Sequence, residues 1–149
     1  MYSREILRLM CEKISPLNEK EQNNVIYVAV FRAIKEGFKE FVSKVLSANP
    51  YLIWARDNKG ATVFQQAVLY REAEIFKLLH EHPVKNSVMN LKDKSDNNVL
   101  HMAGKSTPSP RFKCIQGAVL QMQKELQWFK VISLNLLYLS GIYFHYCQN

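Results

Sequence analysis

Few residues in this chain have the types and spacing that chemistry needs. Gly104-Lys105-Ser106-Thr107 has the ending of a phosphate-binding loop, in which backbone amides and a lysine cradle a nucleotide. That pattern also requires a glycine five residues before Gly104 and a strand leading into it. Val99 holds the glycine position, and Val99 to Ala103 reads as a helix start. The quartet is therefore expected to be a helix end running into the Pro108-Ser-Pro110 loop. His80-Glu-His82 could suggest a metal pair, yet residues two apart on a helix point about 200° from each other. No third ligand follows nearby in sequence, so a solvated helix end is expected. Neither a Gly-x-Ser-x-Gly nor a Cys-His pattern is present, and Cys11, Cys114 and Cys147 form no C-x-x-C pair. No catalytic residue, cofactor or metal is expected, and the chain reads as a non-enzyme.

The composition sets the frame for these residues. The 149 residues are 48% apolar, enough for one domain or a short repeat array and incompatible with a disordered tail. The net charge of +7 is spread without a polybasic block, so no nucleic-acid partner is expected. Phe31, Phe38, Phe41, Phe64 and Phe76 recur at core-facing helical spacing, which favours packing over base stacking. Trp54, in a connector, is the aromatic expected at the surface, and Lys105, Arg111 and Lys113 make a small basic loop. An odd, scattered set of cysteines fits a reducing compartment. Charges at Arg4, Glu5, Arg8, Glu12 and Lys13 interrupt any secretory signal.

The elements follow from a repeat. Asp57 to Asp93 is 36 residues and Ala67 to Ala103 is also 36, without a gap between them. Ala33 lies 34 residues before Ala67. After each of the first two alanines comes a helical apolar pattern: Ala33, Ile34, Phe38, Phe41, Val42, Val45 and Leu46, then Ala67, Val68, Ile75, Phe76, Leu78 and Leu79. Both predict helix, tight turn, helix. Gly37 suits the positive φ of the first turn, while Arg71 occupies the equivalent place in the second and is less comfortable there. Thr62-Val-Phe-Gln65 is a capping box that starts a helix near Val63. Asn49-Pro50 ends the Phe38 to Ser47 helix, leaving Tyr51 to Arg56 as an extended connector.

These units resemble the ankyrin repeat, through Asp57, Gly60, Thr62, Phe64, Ala67 and Ile75-Phe-Lys-Leu-Leu79, and then Asp93, Leu100, His101 and Ala103. The departures are Val63 and Val99 in the Pro position, Gln65 in the His position, Asp96 in the Gly position and Asn98 in the Thr position. The resemblance implies that His101 is a buried, neutral ring bridging adjacent repeats. Ala48 to Asp57, Phe64 to Arg71, Asn98 to Lys105 and Gly117 to Lys130 are similar to plant ankyrin-repeat proteins carrying a C-terminal PGG-type membrane domain. This implies a cytosolic interaction module associated with stress and defence signalling, located at the cytosolic face of a membrane. On this resemblance, the 149 residues are expected to stop short of the membrane domain.

Four segments result: an N-terminal helical segment at 1–24, about three degenerate repeats at 25–107, a linker and amphipathic capping helix at 108–130, and an uncharged apolar tail at 131–149. The N-terminal segment is expected to hold a helix from Ser3 to Lys13 and a second after the Asn18-x-x-Glu21 box. Val119, Met122, Leu126 and Phe129 recur at 3, 4, 3 spacing and should cover the exposed end of the array. The abrupt change of composition in the tail is expected to reflect a truncated or alternatively spliced product or a gene model that read past an exon boundary. The segment itself would be an apolar helix packed on the stack or a sticky unstructured end, with a single membrane anchor as the alternative. The fold class expected is an all-α ankyrin-type solenoid fragment with a long C-terminal helix. Its function would be protein binding through the concave loop and first-helix face, with Tyr27, Asp57, Asn58, Lys59, Gln66, Tyr70, Arg71, Asp93, Lys94 and Asp96 as contacts. Gly37, Gly60, Thr62, Ala67, His101 and Ala103 would carry the repeat. Other proteins are the expected partners, full-length membrane-bound relatives among them, with membrane contact through residues 131–149 as the alternative.

Overall fold

A computed structural model describes residues 19–108 and 117–139, and these residues are all-α. The expected Ser3 to Lys13 helix, the three cysteines, Arg111, Lys113 and the end of the tail lie outside the described residues. Helix α1 spans Glu19–Glu36 without interruption. The second N-terminal helix and the first helix of the array are thus one element, and the boundary at residue 24 falls inside it. Val30, Ala33 and Ile34 form its buried stripe.

Two turns of identical construction follow. Gly37 takes φ 72° while its amide reaches the Ile34 carbonyl (3.1 Å) and the Phe38 amide reaches that of Ala33 (2.8 Å). Thirty-four residues on, Arg71 takes φ 61°, its amide meets the Val68 carbonyl (3.2 Å) and the Glu72 amide that of Ala67 (2.9 Å). Both are Schellman turns, with the repeat alanine supplying the returning carbonyl. The alanines are buried where the next helix crosses closely. Helices α2 (Lys39–Ala48) and α4 (Ala73–His80) leave these turns and lie against each other. Phe38 is not the core residue its spacing suggested. It sits at the turn just ahead of α2, 62% exposed.

The segment after Asn49-Pro50 is also corrected. Pro50–Trp54 is a 3-10 helix rather than an extended connector. The Asn49 side chain accepts the Tyr51 amide at 3.2 Å, and Pro50 presets the first turn. Leu52 and Ile53 are both buried, whereas neighbours on an extended chain would point to opposite sides. Trp54 remains exposed.

Helix α3 (Val63–Leu69) starts at Thr62 with both capping-box hydrogen bonds formed. Helix α5 (Lys85–Met89) is a short turn that buries Val88 and Met89. Helix α6 (Val99–Gly104) has its own capping box between Asn98 and His101. Helices α1, α3 and α6 pack in sequence as one row, with α2 and α4 forming a second layer. Phe64, Ile34, Ile53, Ile75 and Leu79 fill the space between the layers.

Helix α7 (Ala118–Leu139) packs on α6 and runs through residue 130, so Val131–Leu139 extends it and the tail has no separate beginning. Its covering face is not the expected one. Val119, Met122 and Leu126 are exposed, the last two at 67% and 60%, while Phe129, 37% exposed, lies beside Gly104 of α6. Gln121, Glu125, Trp128 and Ile132 face the stack instead. The cause is the polarity of the surface being covered: the ends of α3 and α6 present carbonyls and the Arg71 guanidinium, which require polar partners. Glu125 binds Arg71, and Trp128 Nε1 donates to the Val68 carbonyl at 3.1 Å with its indole edge-on to Phe76. Among the described residues no helix is long and apolar enough to cross a membrane.

Candidate functional site

The loops that precede α3 and α6 are built by the same local chemistry, 36 residues apart. Asp57 Oδ1 accepts the amides of Lys59 and Ala61, both at 2.8 Å, and Asp93 Oδ1 accepts those of Ser95 (2.8 Å) and Asn97 (2.9 Å). Each aspartate amide returns to the carbonyl four residues on, Ala61 or Asn97, at 2.9 Å. The fourth residue of each loop needs positive φ; Gly60 supplies 78° and Asp96 supplies 60°. At Asp93, burial opposes ionisation. Hydrogen bonds from the Asn97 side chain and the Asn97 and Ser95 amides, with the field of Lys105, outweigh it and hold the carboxyl below the usual aspartate range.

The two loops are tied together. The Lys94 amide donates to the Lys59 carbonyl (3.0 Å), Lys94 Nζ to that of Asn58 (2.9 Å), and Arg56 Nη1 to that of Lys92 (2.9 Å). A Cβ on Gly60 would stand 3.1 Å from the Lys94 nitrogen, so the close approach and the φ both select glycine. Gln65, fully buried, spans the same junction: its Oε1 caps the Thr62 amide (2.7 Å), while Nε2 donates to Leu91 (3.2 Å) and Asn97 (2.7 Å) carbonyls. This is the bridging work expected of His101. The His101 ring itself is exposed and bonds within its own capping box to Asn98. An amide with one acceptor and two donors suits the junction as well as an imidazole does.

Between these loops and the first-row helices lies a groove of about 520 Å³. Asp57, Lys59, Gln66, Tyr70 and Asp93, all expected contacts, line it. Arg32, Lys35, Lys105, Phe31, Leu69 and Met102 complete much of the wall. Lys35 stands 5.9 Å over the Tyr70 ring, and Gln66 Nε2 donates to Asp57 Oδ2 at 2.6 Å. Asn58, Lys94 and Asp96 are exposed on the loop tips, where Lys92 pairs with Asp96. Tyr27 is exposed on α1 but does not line the groove.

Arg71 is the correction among the expected contacts. Its side chain is 1% exposed, with Nη1 on the Val68 carbonyl (2.8 Å) and Nη2 on those of Ala103 (3.1 Å) and Lys105 (2.7 Å). Glu125 from α7 balances the charge. It holds the stack together and cannot meet a partner. Arg32 and Lys35 were not among the expected contacts, although Val28, Arg32 and Lys35 share one face of α1 by their four- and three-residue spacing. At the opposite edge, His80 lies by the Phe76 ring and is pushed below the usual histidine range, first by burial and then by Lys85.

Comparison with protein-family models, with curated proteins and with solved structures finds no match for this chain.

Proposed function

We propose that the chain is a protein-binding module of the cytoplasm: a short stack of degenerate ankyrin-like helix hairpins whose working surface is the groove between the turn loops and the first-row helices. The observation that carries this reading is the pair of aspartate loops, 36 residues apart, that share one hydrogen-bond pattern, are hydrogen-bonded to each other and contribute to a groove lined in part by apolar side chains. Stacked units present extended surfaces of this kind because each repeat contacts only its neighbours. The chain's resemblance to plant ankyrin proteins of the PGG type supports a setting in stress or defence signalling at the cytosolic face of a membrane.

Photo-crosslinking tests the surface. A benzophenone amino acid replaces either Tyr70, in the groove, or Lys44, exposed on the outer helix α2. In extract of cells that express the chain, Tyr70 should yield a discrete crosslinked protein and Lys44 should not. Equal yields at both positions, or a product from Lys44 alone, would refute the assignment.

A second reading is favoured by the stripe of Val119, Met122 and Leu126 that α7 turns to solvent, with Lys124 and Lys130 also exposed on the helix. Such a stripe suits assembly with full-length membrane-bound relatives, or contact of α7 and the residues after it with a membrane. Changing Met122 and Leu126 to Gln should then move the tagged chain from the membrane fraction to the soluble one; an unchanged distribution rejects this reading.

A further inference from the structure

The groove has a sign. Four cations, Arg32, Lys35, Lys59 and Lys105, share its wall with two carboxylates, Asp57 and Asp93. The carboxylates are committed internally: Asp57 to two loop amides and Gln66, and Asp93 to two loop amides and the Asn97 side chain. Neither forms a salt bridge with a groove cation among the described residues. Arg32, Lys35, Lys59 and Lys105 are all exposed; Arg32 pairs at 3.2 Å with Glu36, which is not in the wall, and Lys105 lies in the field of Asp93, so that the four cations still outnumber the two wall carboxylates. The same wall includes Phe31 and Leu69, both half-buried, and Met102, of which 4% is exposed, as apolar contacts for a side chain.

Building on the proposed protein-binding role, we propose that the groove receives an acidic peptide segment, in which one aliphatic or aromatic side chain rests on Phe31, Leu69 and Met102 while flanking carboxylates meet Lys59 and Lys105 on one side and Arg32 and Lys35 on the other. Charge complementarity selects the sign of the partner. The apolar part of the lining favours a peptide over a polyphosphate backbone, which would leave Phe31, Leu69 and Met102 without an apolar partner.

The test is selection of random twelve-residue peptides on the immobilised full chain, followed by affinity measurement by fluorescence anisotropy. Enriched peptides should carry net negative charge around an apolar residue. They should bind at least tenfold more weakly to the Lys59→Glu/Lys105→Glu variant, whose fold is checked by circular dichroism, and weaken as salt rises from 0.05 to about 0.5 M, where screening shortens the reach of each charge. Enrichment of neutral or basic peptides that Tyr70→Ala still weakens would overturn the acidic specificity and leave the groove as the binding site. Peptides insensitive to both variants, or no enrichment at all, would overturn the groove assignment with it. Displacement of the acidic peptide by a twelve-nucleotide single strand at equal concentration would contradict the preference for peptide.

Discussion

At Arg71 the backbone occupies the left-handed region, where a side chain costs about 1–2 kcal/mol, and the local pattern asks for glycine, as at Gly37. The guanidinium offsets that cost by closing the carbonyl ends of α3 and α6 and by pairing with Glu125. Removing one member of a buried ion pair leaves the other uncompensated, so Arg71→Ala should cost about 3–5 kcal/mol in urea unfolding. Arg71→Gly should cost about 1 kcal/mol less than Arg71→Ala, since it relieves the backbone while losing the same bonds. If the two variants were equally stable, the strain would be absent. Asp93 gives a pH prediction. Its folded pKa is depressed, so its contribution is present above the ordinary value of 3.8 and disappears as pH falls through the lower, folded value. Asp93→Asn should therefore flatten the acid limb of stability below about pH 4, measured by thermal unfolding; an unchanged limb would show that Asp93 contributes nothing there.

Helix starts and turns were legible where the signal is local. Thr62 with Gln65, Gly37 at its turn and the aspartates 36 residues apart each specify a few neighbouring hydrogen bonds, and their chemistry is visible in a short window. Helix α7 was legible as an element, but its orientation was not. Its apolar spacing points to Val119, Met122, Leu126 and Phe129, while the choice of face depends on a guanidinium 54 residues away and a carbonyl 60 residues away. The same holds for His101: its pattern position suggested a bridge, but its ring hydrogen-bonds to its own capping partner Asn98, and the bridge is made by Gln65 one junction earlier. Substitution separates the two faces of α7. Met122→Gln and Leu126→Gln should each change unfolding free energy by no more than about 0.5 kcal/mol, whereas Ile132→Ala should cost about 2–5 kcal/mol. The reverse order would return the apolar stripe to the core.

For the molecule as a whole, the groove exists only because its walls come from different units: Arg32 and Lys35 from α1, Lys59 and Tyr70 from the second hairpin with its loop, Asp93, Met102 and Lys105 from the third. Each hairpin buries its apolar stripe against a neighbour, so the binding surface and the stability of the array depend on the same junctions. Of the groove, the loop and α3 residues were accessible from the repeat pattern. The α1 cations were not, because the first unit has no aspartate loop to set its register. Native-state hydrogen exchange in mild denaturant reads the junction directly at three amides: Ala61 and Asn97, bonded within their own loops, and Lys94, bonded across to Lys59. The account predicts that all three are protected and share one opening free energy, as in a stack that opens as a unit. Exchange of Lys94 at the rate of a free peptide, with Ala61 and Asn97 still protected, would mean that the loops stand apart and would contradict it.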